Sequence, residues 1–249
     1  MKLLELQNIK KNYNSINGEI NALENINFTI NKNEFIAIVG PSGCGKTTIL
    51  EIICNLEKET SGNILKFKKN LSFGYMFQTD TLFNWLTVLE NCLLPLKINK
   101  TNTILNKNRI LKLLEKYGLK DFLNKYPKEL SGGMKQRVSL IRALGSNPDI
   151  LLLDEPFSKL DYQTKLIVSN DVFKIIKEEG KTIVLVTHDI EEAISMANKI
   201  IVLSKRPSKI KSIHKIKFKE KSTPLENRKK EKFKKYYEDI WKELDINVL

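Results

Sequence analysis

FIAIVGPSGCGKTTIL, Phe35–Leu50, decides the fold of this 249-residue chain. Five apolar residues run into a glycine-rich turn, and the turn runs into a helix-compatible segment with Ile49, Leu50, Ile52 and Ile53 apolar. The eight residues Gly40–Thr47 fit G-x-x-x-x-G-K-[ST], and they sit where that pattern has a mechanism, after a buried strand and before a helix. Glycines there let backbone N–H groups turn inward around phosphate oxygens. Lys46 adds a movable positive charge, and the Thr47 hydroxyl can ligate Mg²⁺.

Downstream, ILLLDEP (Ile150–Pro156) places Asp154 at the carboxyl end of another buried strand, followed at once by Glu155. Ligands bind at such strand ends in open α/β sheets. Asp154 is expected to hold Mg²⁺ through water. Glu155 is expected to orient and deprotonate an attacking water. His188 follows the strand IVLVT, which puts it on the same rim. Gln78, after the strand-like FGYMF, offers an amide that can meet both metal and water. One segment remains unexplained by a single phosphate site: LSGGMKQR, Leu130–Arg137, reads as a second anion-facing helix N-terminus.

Composition bounds the rest. An apolar fraction of 41% supports a substantial core. No apolar run approaches the roughly 18 to 20 residues that span a bilayer. The opening MKLLELQNIKK alternates charge and apolar residues too early for a signal peptide, so a cytosolic chain is expected. Cys44, Cys54 and Cys92 are widely spaced, which points to reduced structural thiols. Of the net charge of +13, +8 lies in residues 205–249, where 15 Lys and Arg face 7 Asp and Glu. A solvated basic surface, a polyanion site and proximity to an anionic leaflet all use such charge. The first is the expectation, with no nucleic-acid partner.

Along the chain, LLELQNI, ALENINFTI and FIAIVG read as strands, with Asn33 placed for a left-handed turn. A helix is expected over Lys46–Leu56, a mostly helical lobe over about 80–145, and helices near 162–178 and 190–197. Further strands are expected at Ile150–Leu153, Thr182–Thr187 and Ile200–Leu203. This alternation means a parallel, doubly covered sheet. Residues 1–222 are expected to form one domain. The tail 223–249 reads as a single amphipathic helix, packed on that domain or binding a partner.

Together these residues resemble the ATP-binding-cassette ATPases over about residues 3–205. The resemblance implies a P-loop NTPase (RecA-like) α/β core with an N-terminal antiparallel β subdomain and an inserted α-helical subdomain. It also implies ATP and Mg²⁺ as cofactors. Gly40, Pro41, Ser42, Gly43, Cys44, Gly45, Lys46, Thr47 and Thr48 would bind ATP as the Walker A loop. Tyr13 lies where the family stacks an aromatic on adenine, although an ordinary strand aromatic fits too. Asp154 and Glu155 look like Walker B, Gln78 like the Q-loop residue and His188 like the switch histidine. Ser158 and Asp161 lie in the stretch that looks like the D-loop. LSGGMKQR resembles the family signature, so Ser131, Gly132, Gly133 and Gln136 would meet the ATP of a partner chain in a head-to-tail homodimer. Two departures stand out: Lys159 where a small residue is usual, and Gly145 where Ala is typical, which loosens that helix end.

TLFNWLTVLEN (Thr81–Asn91) and LSKRPSKI (Leu203–Ile210) look like segments of importers of the nitrate, sulfonate and taurine type. That resemblance implies separate membrane permease subunits, an extracytoplasmic solute-binding protein and a peripheral place on the cytoplasmic face of the membrane. Phe83, Trp85 and Leu86 fit either the family's groove for a permease helix or the lobe's own core. An exporter subunit and a non-transport ATPase are the other classes consistent with the motifs.

Overall fold

A computed structural model describes residues 1–15, 18–79, 81–218 and 222–244. The chain divides into two compact units, one of residues 1–71 with 181–249 and one of residues 72–180.

The first unit opens with β1 (Lys2–Ser15) and β2 (Gly18–Asn31), which pair antiparallel, then β3 (Phe35–Val39), α1 (Lys46–Ile53) and β4 (Ser61–Lys66). β4 pairs antiparallel with the other side of β1. Asn33 turns the chain into β3 at φ 60, as the sequence predicts, and its N–H donates to the Thr182 hydroxyl at 2.9 Å. Asn8, Asn25 and Asn55 also hold positive φ, a conformation Asn tolerates better than most residues. The left-handed Asn55 follows α1, which stops at Ile53 and leaves Leu56 exposed.

The second unit begins with β5 (Phe73–Met76), α2 (Val88–Ile98), α3 (Ile104–Lys116) and α4 (Gly132–Gly145), and ends with β6 (Ile150–Asp154) and α5 (Tyr162–Glu178). β5 and β6 pair in parallel. Val88, Cys92 and Leu96 of α2 meet Ile110 and Leu114 of α3 and Val138 and Ile141 of α4 in one apolar core. Their i, i+4 spacing, or i, i+3 for Val138 and Ile141, stacks these side chains on single helix faces. Thr87 caps α2 in a reciprocal box with Glu90, worth about 1 kcal/mol. Gly145 corrects the sequence reading: it is the buried last residue of α4, and a Cβ there would stand 3.1 Å from the Cys92 carbonyl oxygen. The glycine lets α4 approach α2 closely. Asp80, at the start of the expected lobe, lies outside the described residues.

The chain returns to the first unit with β7 (Thr182–Thr187), α6 (Ile190–Met196), β8 (Lys199–Leu203), β9 (Ile210–Lys215), α7 (Pro224–Asn227) and α8 (Glu231–Glu243). β7 and β8 flank β3 in parallel, and β9 closes this part antiparallel to β8. β3 and β7 are buried along their whole length, as both-sided packing requires. β4 and β9 were not among the expected strands. The tail is two helices rather than one. Asn227 donates to the Ser195 carbonyl at 2.8 Å and Arg228 pairs with Glu191, which turns the chain between α7 and α8. Phe233 and Ile240 are then buried as α8 packs on α6. Residues 245–249 of the expected tail helix lie outside the described residues.

Candidate functional site

In the first unit the phosphate loop leaves β3 and enters α1 with no room for side chains at Gly40 and Gly45. A Cβ on Gly40 would lie 2.8 Å from Cys44 Sγ, and one on Gly45 would lie 2.8 Å from Leu23 Cδ2. Gly43 and Gly45 also take φ of 72 and 102, which L side chains rarely adopt. Pro41, Ser42 and Thr47 are surface residues of the loop. Lys46 is 6% exposed, and its Nζ donates to the carbonyls of Gly40 at 2.9 Å and Pro41 at 3.0 Å. An ammonium held by carbonyl dipoles keeps charge to offer an anion. The Cys44 thiol is buried, and burial raises its pKa against the opposing pull of Lys46.

Tyr13 on β1 reaches the same loop, its hydroxyl 3.5 Å from Thr48 Oγ1. Lys11 Nζ lies 4.7 Å from the centre of the Tyr13 ring. His188 is exposed at the carboxyl end of β7. Because Val39 pairs with Thr187 in the parallel register, the histidine and the phosphate loop emerge from the same end of neighbouring strands. Asp189 caps α6 by accepting from Glu192 N at 3.0 Å, which fixes the turn that carries His188.

In the second unit, Met76 pairs with Leu153, so Gln78 and Glu155 leave the same end of β5 and β6. Gln78 Nε2 donates to Glu155 Oε2 at 3.1 Å. Tyr75 OH donates to Asp154 Oδ2 at 3.2 Å, while Asp154 itself is 5% exposed. Glu155 holds φ 43, an uncommon left-handed conformation for a residue of its type. The Ser158 hydroxyl donates to the Glu155 carbonyl at 3.0 Å and braces that turn. Asp161 caps α5, accepting from Thr164 N at 3.0 Å, and these hydrogen bonds from Thr164 lower its pKa. Lys159 between them is exposed.

Ser131 caps α4, its Oγ accepting from Met134 N at 3.3 Å, with Gly132 exposed beside it. Gly133 is needed for packing, because a Cβ would lie 3.0 Å from Val168 Cγ2. The structure separates Gln136 from this exposed end: it is 6% exposed on the inner face of α4, with Oε1 unpartnered. Phe83 and Trp85 are not core residues. They are 36% and 72% exposed, with ring centres 4.9 Å apart. Phe83, Phe77, Leu94, Ile98 and Arg142 help line an adjacent groove of about 440 Å³. Arg142 donates to both the carbonyl and the hydroxyl of Thr81 at 2.7 Å, which ties the Gln78 segment to α4.

Sequence reasoning missed Tyr75, Asn91, Arg142 and Arg206. Tyr75, at alternate spacing ahead of Gln78, carried the faintest signal. The other three act through partners that no local pattern announces.

The loop fits a polyphosphate: left-handed glycines shape a tight turn with no side chain at Gly40, Gly43 and Gly45, and the Lys46 ammonium is held against its Gly40 and Pro41 carbonyls. Among the described residues no group of three His, Cys, Asp or Glu could cage a metal. The donor set instead suits Mg²⁺, which keeps several waters and takes one or two protein oxygens with phosphate. Thr47 in the first unit and Asp154 in the second each carry an oxygen of that kind. Among the described residues no helix is long and apolar enough to cross a membrane.

The family model described as ABC transporter matches residues 23–158. An uncharacterized ABC transporter ATP-binding protein of Bacillus subtilis (strain 168) is 46% identical, over 98% of this chain and 96% of that protein. An aliphatic sulfonates import ATP-binding protein of Bacillus cereus is 38% identical over 84% of each. Among solved structures, a dimeric, post-hydrolysis ATP-binding cassette bound to ADP and Pi matches with a TM-score of 0.73. It is 36% identical and covers 87% of this chain and 100% of that one. With its phosphate loop, buried strand-end acid and adjacent glutamate, the chain belongs to the ABC transporter family as an ATP-binding subunit that hydrolyses ATP with Mg²⁺.

Proposed function

We propose that this chain is the energising subunit of an importer for a small anionic or polar solute of the sulfonate, taurine or nitrate class. Two copies close head to tail on ATP and drive separate membrane permease subunits, which are served by an extracytoplasmic solute-binding protein. The observation that carries the reading is the exposed Phe83–Trp85 pair beside the 440 Å³ groove. An aromatic pair left in water next to an apolar groove marks a surface that a partner covers. Import of aliphatic sulfonates, stated for the Bacillus cereus relative, supports the solute class.

In the chemistry, the amides of Gly43–Thr48 and the Lys46 ammonium bind the phosphates, and Tyr13 offers its ring to adenine. Thr47 and Asp154 would each offer an oxygen to the metal, which would supply charge neutralisation when bound. Glu155 Oε orients the attacking water and takes its proton, with the Gln78 amide aligning that carboxylate. His188 donates to the γ-phosphate oxygens. Ser131, Gly132 and Gly133 present the α4 N-terminus to the nucleotide of the partner chain.

The test is reconstitution with the neighbouring permease and binding protein in liposomes. ATPase activity should rise when the binding protein carries a sulfonate. No stimulation by sulfonates, taurine or nitrate in a competent complex refutes the solute class.

A further inference from the structure

The segment Leu203–Ile210 is assigned no role by the chemistry above, yet it lies against the phosphate loop within the first unit. β8 ends at Leu203 and β9 begins at Ile210, and the six residues between them form a braced turn. Ser204 N donates to the Lys209 carbonyl and Lys209 N to Ser204 Oγ, both at 2.9 Å. Ser208 is fully buried. Its N–H donates to the Ala22 carbonyl at 3.0 Å, and its carbonyl accepts from Glu24 N at 2.8 Å. The turn is therefore anchored on β2, and its exposed tip carries Arg206.

Arg206 grips one atom of the loop. Nε and Nη2 donate to the Gly43 carbonyl oxygen at 3.1 and 2.6 Å. On the other side of the same peptide, Cys44 N donates to the Pro41 carbonyl at 3.3 Å. A trans peptide is planar, so fixing its oxygen fixes the direction of its N–H as well. The guanidinium fork suits this task because two of its N–H groups converge in a rigid plane, which a lysine ammonium cannot copy.

We propose that Arg206 is a positioning residue for phosphate binding: it holds the Gly43–Cys44 peptide in the orientation that lets the loop amides converge on the β-phosphate before nucleotide arrives. The inference rests on the reading of Gly40–Thr48 as the phosphate loop. Its consequence is preorganisation, which is read in affinity rather than in the chemical step.

The test compares Arg206→Gln, Arg206→Lys and Lys46→Ala in the full chain, using ATP and ADP binding, ATPase kinetics and melting temperature. Arg206 is exposed, so Arg206→Gln should fold and melt within about 2 °C of the parent. KM for ATP and Kd for ADP should rise together by about 3- to 10-fold, the scale of charge-assisted hydrogen bonds weakened by solvent. kcat at saturating ATP should stay within about twofold of the parent. Arg206→Lys should recover less than half of the loss. Maleimide labelling of Cys44 without nucleotide should speed up about threefold in Arg206→Gln, with Cys54 labelling unchanged as the internal reference. A lowered melting temperature with unchanged affinity makes Arg206 a brace of the hairpin alone and overturns the proposal. Weakening of ATP without ADP means contact with the γ-phosphate, and full recovery by lysine means charge suffices; each overturns it too. If Lys46→Ala abolishes binding while Arg206→Gln changes nothing, this inference alone fails. If Lys46→Ala binds normally, the phosphate-loop reading itself fails.

Discussion

Replacing Asn91 by Asp should destabilise the aromatic platform in a pH-dependent way, and the structure sets the scale. Asn91 is fully buried on α2 and holds the turn that carries Phe83 and Trp85. Its Oδ1 accepts from Phe83 N at 2.8 Å, and its Nδ2 faces the carbonyls of Phe83, Leu86 and Thr87 at 3.1, 3.0 and 3.0 Å. Aspartate keeps the acceptor but turns a second oxygen toward three carbonyl oxygens. The ionised form is disfavoured there, so the folded pKa must rise above the unfolded value of about 3.9. A raised folded pKa gives stability that is intact below about 3.9 and is lost as pH climbs toward the folded pKa. At about 1.4 kcal/mol per pH unit, holding the group protonated costs at most about 5 kcal/mol at pH 7.5 and about 1.5 kcal/mol at pH 5. The protonated acid can still donate to one carbonyl. Urea unfolding of the parent, Asn91→Asp and Asn91→Ala across pH 5 to 7.5 measures this directly. The gap between parent and Asn91→Asp should widen by roughly 3 kcal/mol over that range, while the Asn91→Ala gap stays flat. A pH-independent gap for Asn91→Asp, or parental stability at pH 7.5, refutes the hydrogen-bond reasoning.

Trp85→Ala should leave basal ATPase and stability intact, since an exposed change away from special features costs about 0.5 kcal/mol or less, yet it should lower permease-coupled ATPase; equal losses in both assays would return Trp85 to a structural role. Glu155→Gln should keep ATP binding and lose about 10²- to 10⁴-fold in turnover, with ATP trapping a dimer visible by light scattering; near-normal hydrolysis removes Glu155 from the proton-accepting role. Mixing Lys46→Ala chains with Gly132→Asp chains should restore one competent site per mixed dimer, seen as ATP-dependent cross-linking; no recovery with mixed dimers present sinks the head-to-tail arrangement. Maleimide should modify half-buried Cys54 before Cys44 and should spare fully buried Cys92, whose thiol burial pushes up to about 12. MgATP should protect Cys44, and unchanged nucleotide affinity after confirmed Cys44 labelling contradicts the loop geometry.

The phosphate loop was legible in the sequence because its requirements are local. Gly43 and Gly45 meet left-handed backbone within a few bonds of the residues that specify it, and Asn33 serves its turn for the same reason. Asp154, Glu155 and His188 were legible because a run of buried apolar residues announces a strand and its end. The N-terminal cap of α4 was visible as Ser before two glycines. What the chain could not announce was pairing over distance. Gln78 meets Glu155 across 77 positions, Tyr75 meets Asp154 across 79, and Arg206 meets Gly43 across 163. Gln136 shares a motif with Ser131, yet helical geometry turns it inward while the N-terminus stays exposed. The tail carries one amphipathic stripe, but tertiary bonds from Asn227 and Arg228 to α6 outweigh helix continuity and break it in two. Gly145 reads as a weak helix end until the Cys92 carbonyl comes to lie where its side chain would be. Backbone conformation is set by neighbours along the chain, so sequence alone determined the loop, the strand ends and the caps. Partners are set by strand register and helix packing, so only the tertiary structure decided which side chain holds each of them in place.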